Sequence, residues 1–379
     1  MNQTFKFSFA GFAALVLTPQ AFAIDAQPLN QGGFELTPTL SVDARYDDNW
    51  TEANSSERSS WITKVAPSLK GSAKRDKTEL TLGLDLSKEF VEDSSAANNS
   101  DYTVSAGVHL EPSSQSRIDL NASYTDEEDI QNSEDFTDKN VGVTYGFGAE
   151  EAKIQLTAGA AYQEKRLSNT SDFDATSWNV RGDYRLSGKT RATAEYRSKD
   201  IDTTELTGAN SLDGSLNQML VGVVWDATAK TSGSAKVGRI ERKFDNATLT
   251  DKDGSSWEVG VVWTPTKRST VTLDVNNAYE TGSATENFID TETTKIAWNH
   301  QWTGRMYSDV ALSRKDEHYI NDANNGNKDE TDELSASLTY SLKRNVDLIA
   351  GVTIKDKTSS EAGSGYDQNV YNVGVKVGL

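Results

Sequence analysis

From residue 34 onward the apolar side chains recur at every second position, in runs of about ten residues separated by polar breaks, which is the period of a β-strand. In the clearest run Leu80, Leu82, Leu84 and Leu86 alternate with Glu79, Thr81, Gly83 and Asp85. In the last run Tyr371, Val373, Val375, Val377 and Leu379 alternate with Asn372, Gly374, Lys376 and Gly378. One face of each run is apolar, and the other is polar or tiny. Further runs begin at Leu40, Trp61, Tyr102, Ile118, Val141, Ile154, Trp178, Ala192, Met219, Ala235, Trp257, Val271, Ile296, Val310, Leu334 and Val346. The pattern predicts about 18 strands and an all-β chain.

The breaks between runs alternate in length. Short ones at 74–77, 111–115, 187–190, 303–305 and 343–345 read as tight hairpins, and long acidic ones intervene at 47–60, 91–101, 126–139, 199–215, 280–292 and 315–333. Trp225, Trp263 and Trp302 close strands before short turns, whereas Trp61, Phe90, Tyr102, Trp178, Tyr196 and Trp257 lie beside long loops. Two aromatic girdles one membrane thickness apart account for that placement. The expected fold is a transmembrane antiparallel β-barrel of outer-membrane type, with turns and both termini in the periplasm and loops outside. A β-sandwich would also alternate, but it scatters aromatics along its strands, and it needs more bulky core than a 36% hydrophobic content supplies. Closure is required because an open sheet leaves unpaired amides in hydrocarbon.

Composition narrows the chemistry. There is no cysteine, so disulfides and thiolate metal sites are excluded, and the three histidines, His109, His300 and His318, are too scattered for an imidazole cluster. The net charge of -19 argues against nucleic acid. At the N-terminus Lys6, the apolar stretch 7–17 and the Ala21-Phe22-Ala23 site form a secretory signal, giving a signal peptide over 1–23. A short periplasmic segment is expected over 24–33 and a single barrel domain over 34–379.

Sorting strand charges by face places cations and carboxylates on the lumen side in nearly equal number, which favours hydrated polar cargo over selection of one ion sign. The densest basic patch is Arg181, Arg185, Arg191 and Arg197, set against Asp183 and Glu195. These four arginines are the candidate contacts for an acidic carbohydrate, or else they stiffen the wall. The acidic runs Asp126–Asp129 and Asp329–Glu333 offer hard oxygen atoms but lack the spaced pattern of a calcium loop, so they read as solvated surface and no metal site is assigned. For catalysis, His109 has Ser105 two lumen positions away without a Gly-x-Ser-x-Gly pattern, and His318 near Asp316 is the one candidate at the barrel top. No catalytic residue and no cofactor is expected.

Pro38, Leu40, Val42, Tyr46, Asp47, Asp48 and Asn49, followed by Val65, Ala66, Pro67, Ser68 and Leu69, resemble the opening of the putative β-barrel porin type 2 family. The resemblance covers about a tenth of the chain, and Leu379 departs from the aromatic residue usual at an outer-membrane C-terminus. The resemblance implies an outer-membrane barrel that assists export of a capsular or exopolysaccharide. Its partners would be outer-membrane lipid and lipopolysaccharide, the polysaccharide itself, and a periplasmic polysaccharide-export protein. Two other readings stay open: a general diffusion porin for small hydrophilic solutes, and a structural or adhesive surface barrel acting through its acidic loops.

Overall fold

The computed structural model describes residues 28–130, 135–168, 171–204, 211–228, 230–282, 286–320 and 326–378. The strands are β1 (Leu29–Gln31), β2 (Phe34–Asp47), β3 (Ser60–Arg75), β4 (Thr78–Val91), β5 (Asn99–Ser113), β6 (Ser116–Glu127), β7 (Phe136–Phe147), β8 (Ile154–Leu167), β9 (Phe173–Ser187) and β10 (Thr190–Thr203). They continue with β11 (Gly214–Thr228), β12 (Thr231–Phe244), β13 (Lys252–Thr266), β14 (Ser269–Thr281), β15 (Phe288–Thr303), β16 (Met306–Ile320), β17 (Lys328–Lys343), β18 (Val346–Ser359) and β19 (Tyr366–Gly378). Each of β2 to β19 pairs antiparallel with its sequence neighbour, and β19 returns to β2 from Val370↔Asp47 to Gly378↔Thr39, closing an 18-strand barrel. Every run read from the sequence corresponds to one of these strands.

The apolar face of the alternation is the outer face. Val42, Leu82, Val141, Leu156, Met219, Val237, Leu312 and Val373 are all exposed there. Contiguous apolar exposure on that scale is stable only against hydrocarbon. Cross-strand aromatic pairs ring the long-loop end: Tyr46–Trp61 at 5.5 Å, Tyr102–Tyr124 at 5.6 Å and Trp178–Tyr196 at 5.1 Å between centroids. At the short-turn end Trp298, His300 and Trp302 stack in sequence, at 5.4 and 4.4 Å. Lys153 precedes outward-facing Ile154, so alternation would turn it to the lumen; it instead places its Nζ 5.3 Å from the ring of outward Tyr184, a cation–π contact at this girdle.

One expectation is corrected by the ladders. The long breaks are shorter than the hydropathy pattern implies, because strands continue past the loop-side girdle after their apolar face ends. The break expected over 315–333 shrinks to 321–327, with Asp316 opposite Glu330 in regular register. Arg314 bridges Glu330 at 2.7 Å and Asp332 at 2.6 Å across that extension, so the acidic run Asp329–Glu333 is strand and not loop. At the N-terminus, Leu29–Gln31 turns back through Gly32 and Gly33, whose positive φ of 62° and 87° suits glycine, to pair with Phe34–Leu36. The expected signal peptide lies outside the described residues.

The Tyr-Asp-Asp-Asn motif sits where first and last strands meet. Asp47 accepts from the Asn49 amide at 3.0 Å and from Gln368 Nε2, while Asp48 accepts the backbone N–H and the side-chain amide of Asn369 at 2.7 and 2.8 Å. Asn49 is wholly buried and donates to the carbonyls of Ala53 and Asp367 at 2.9 and 2.8 Å. The motif therefore latches the first long loop to β19 across the closing seam. Pro67 has a matching cause in the ladder: the β3–β4 register skips from Val65↔Lys88 to Ser68↔Asp85, because proline has no N–H for the missing rung.

Under the rim the inner face is not uniformly polar. Trp50, Ile62, Val91 and Ala97 form one buried apolar cluster, and Phe173, Ala175 and Ile201 form a second. A third joins Leu212, Leu216, Ile240 and Phe244 to Tyr279 and Phe288. The first long loop also turns inward, since Glu52 reaches Lys355 of β18 at 2.7 Å.

Candidate functional site in the barrel lumen

The lumen wall is most highly organised at β9 to β13. Gly222 of β11 and Gly238 of β12 lie where the wall turns a tight corner. A Cβ at Gly222 would be 2.1 Å from the Ala235 carbonyl oxygen, and one at Gly238 would be 1.7 Å from that of Met219. No residue with a side chain fits there. The corner brings inward side chains of β10 and β13 within reach of each other over β11 and β12.

Four charged groups close a ring across that corner. Arg197 donates to Glu195 at 2.7 Å and pairs with Glu258, with 2.5 and 3.2 Å contacts to its two oxygens. Lys236 bridges the same carboxylates, 3.0 Å from Glu195 and 2.6 Å from Glu258. Gln218 accepts from Arg197 at 3.0 Å and donates to Ser256 at 2.7 Å. Glu195 and Lys236 are buried, and the ring carries no net charge. Two cations matched by two carboxylates satisfy each other, so the ring stiffens the wall without projecting a field into the channel.

The four arginines singled out from the sequence do line one wall, but they divide into two groups. Arg197 belongs to the ring, and Arg181 pairs with Asp183 through contacts of 3.0 and 2.8 Å. Arg185 and Arg191, opposite each other on β9 and β10, reach together to the turn 148–153. Arg185 contacts Glu151 at 2.8 Å, both donate to the Glu150 carbonyl, and Arg191 also donates to that of Ala152 at 3.3 Å. All four guanidiniums thus have partners within the wall. Glu150, Glu151 and Glu258 are the partners that a face-by-face reading of neighbouring strands does not bring together.

Two cations beyond the loop-side girdle, Lys199 and Arg242, are not among the sequence candidates, and the stretch that begins at Lys199 reads as loop. Lys199 is buried, with its Nζ 5.1 Å from the Phe173 ring and 3.4 Å from Gln163 Oε1. Burial pushes its pKa down to about 8. Arg242 is 1% exposed, lies 4.5 Å over the Phe244 ring and donates to the Leu212 carbonyl.

On the opposite side of the mouth, Glu89 takes both arms of a bidentate contact from Arg45, at 3.1 and 2.8 Å, and a second cation, Lys64, at 3.0 Å. Next to it a cavity of about 330 Å³ is lined by Asn99, Asp101, Glu127, Glu128 and Asp129. His109 faces carboxylates with both ring nitrogens, Asp119 at 2.6 Å and Glu111 at 3.4 Å, and His318 stands opposite Asp290 and Lys328.

The fold has known counterparts. The vanillate-bound structure of OpdK from Pseudomonas aeruginosa superposes with a TM-score of 0.51 at 12% identity, over 91% of this chain and 99% of that one. The FrpB iron transporter from Neisseria meningitidis gives 0.51 at 12% identity, over 88% of this chain and 64% of the longer FrpB chain. The copper transporter OprC gives 0.50 at 10% identity, over 93% of this chain and 82% of that one. No curated protein matches the sequence. At these identities the likeness is one of fold, an outer-membrane β-barrel. The family model described as putative beta-barrel porin 2 matches residues 23–379, and the chain belongs to that family.

Proposed function

We propose that the barrel is a non-enzymatic channel that carries a hydrated carbohydrate chain outward across the outer membrane, with its short turns and both termini in the periplasm. The observation that carries this reading is the charge economy of the lumen. The strongest charges, Arg197, Lys236, Glu195 and Glu258, neutralise one another at 2.5–3.2 Å. Between the charges the inner wall presents small polar residues such as Ser105, Thr353 and Asn372. Such a wall hydrogen-bonds weakly to hydroxyl-rich cargo and holds no ion of either sign tightly. With all four candidate arginines already partnered, the wall suits neutral or weakly charged sugars better than strongly acidic ones.

The same self-compensation suits a diffusion porin for small hydrophilic solutes, and this second reading shares the channel but not the cargo. Deleting the gene in its host separates the two. Export predicts loss of surface polymer with unchanged growth on small sugars. Intact surface polymer together with slowed uptake of a small solute would replace export with diffusion.

A further inference from the structure

We infer that the upper part of the β14–β15 hairpin is a gate that folds into the mouth of the channel and can return to the wall. This inference rests on the channel reading and adds a moving part to it.

Among the described residues the wall is split between β13 and β14. Strand β13 extends to Lys252 and β14 to Thr281, yet the ladder between them runs only from Thr266↔Ser269 to Glu258↔Asn276. Above that point β13 pairs with β12 alone, and β14 pairs with β15 alone. The split is finished off by one side chain. Asn277 accepts from the Trp257 N–H at 2.8 Å and donates to the Ser255 carbonyl at 2.8 Å, so its amide replaces the first missing backbone rung.

Above Asn277 the two arms of the hairpin lie inside the barrel at Tyr279 and Phe288. By alternation with Val271, Leu273 and Val275, Tyr279 should face lipid. It is instead 4% exposed and clustered with Ile240, an inward residue of β12. Its hydroxyl occupies the inner side of β13, where a Cβ on Gly254 would lie 2.3 Å from it. Phe288, across the hairpin, is 1% exposed and packs 4.8 Å from Tyr279 and 6.4 Å from Phe244. An outward-facing residue can reach the inner surface of the adjoining strand only if its own strand has passed inside.

This leaves two arrangements for the same segment. In the one observed, two aromatic rings are buried on the inner wall while the upper edges of β13 and β14 lack each other as strand partners. In the other, those edges zip upward from Glu258↔Asn276 and the rings leave the mouth. Burial of two rings and recovery of a few ladder rungs are opposing terms of similar size, which is the condition for a two-state element. The docked hairpin narrows the mouth, and the zipped one widens it.

The test uses the purified full-length barrel in planar bilayers. Gly254→Val puts a side chain where the Tyr279 hydroxyl sits and should evict the hairpin, giving loss of the low-conductance level. The paired change Phe244→Cys and Phe288→Cys, joined by a short bis-maleimide in a chain that has no other cysteine, should hold the hairpin inside and abolish the high-conductance level. Spin labels on cysteines placed at Ser256 and Ala278, in chains without the cross-linking pair, give a readout independent of current, with a distance that shortens in Gly254→Val relative to the otherwise unchanged barrel. Unchanged label distances and unchanged conductance in a folded Gly254→Val barrel would overturn the gate. Label distances that move as expected with no current in any variant would leave the hairpin switch standing and remove the channel reading.

Discussion

Lys199 shows what a single buried cation costs this barrel. It lies three residues beyond the girdle residue Tyr196, packed against Phe173, and burial holds its pKa near 8, below the ordinary lysine value of about 10.4. The folded state therefore releases this proton at a lower pH than the unfolded chain does. Wild-type stability should rise as pH increases from about 8 to about 10.4, where the unfolded chain still binds the proton and the folded one does not. Lys199→Met keeps the stem over the ring and removes the charge, so it should raise the urea midpoint at pH 7 and flatten that rise. Parallel pH profiles for the two proteins, measured by tryptophan fluorescence in detergent, would disprove the assignment. Arg197 is the contrasting case. Its charge is matched by Glu195 and Glu258, and removing one partner of such a network costs about 3 kcal/mol or more. Substituting it with glutamine therefore perturbs the wall as well as any cargo contact.

At the scale of elements, the sequence is legible wherever lipid imposes its period. All 18 barrel strands follow from alternation, because each has one face in hydrocarbon and a slip of one residue would reverse it. Legibility ends where lipid ends. Residues 315–320 and 328–333 look like loop because neither face is apolar, yet the backbone ladder continues there under Arg314 and its two carboxylates. The inward course of β14 was hidden for a related reason, since Tyr279 keeps the parity of a lipid-facing residue and only the split ladder shows where it goes. The contact of Arg197 with Glu258 was hidden because it passes over two intervening strands and depends on wall curvature, which alternation does not encode. The Tyr-Asp-Asp-Asn motif, recognisable as a family mark, acquires a physical role only at the seam. Asn49→Ala would leave the Asp367 carbonyl and the Ala53 backbone groups without their partner in a buried site, at a cost of about 3 kcal/mol. Its heat-modified gel shift should occur at lower temperature than wild type, with the loss confined to closure. An unchanged transition would show that the β2–β19 ladder closes the barrel without the latch.

For the whole molecule, the alternation of connection lengths defines two unlike ends, and the orientation of those ends in the membrane is what the proposed function requires. One end carries turns as short as 76–77, 114–115, 188–189 and 344–345, and the other carries 48–59 and the inward-folded rim. In outer-membrane barrels the short turns lie on the periplasmic side and the longer loops outside, and the proposed orientation follows that rule. The rim, with its acidic extensions and its hairpin, then faces the exterior. The sites at Asn132, Asn210 and Asn325, the natural choices from the sequence alone, lie outside the described residues, so the test uses exposed described positions. Ser55→Cys in the first long loop should react with a membrane-impermeant maleimide on intact cells, and Ser114→Cys and Gly188→Cys should react only after the outer membrane is opened. Each single cysteine is the sole thiol of its protein, which leaves no background label. Labelling of Ser114→Cys but not Ser55→Cys on intact cells would invert the barrel. The gate would then face the periplasm, where it would meet cargo on entry instead of release, and export driven from the periplasmic side would lose its structural basis.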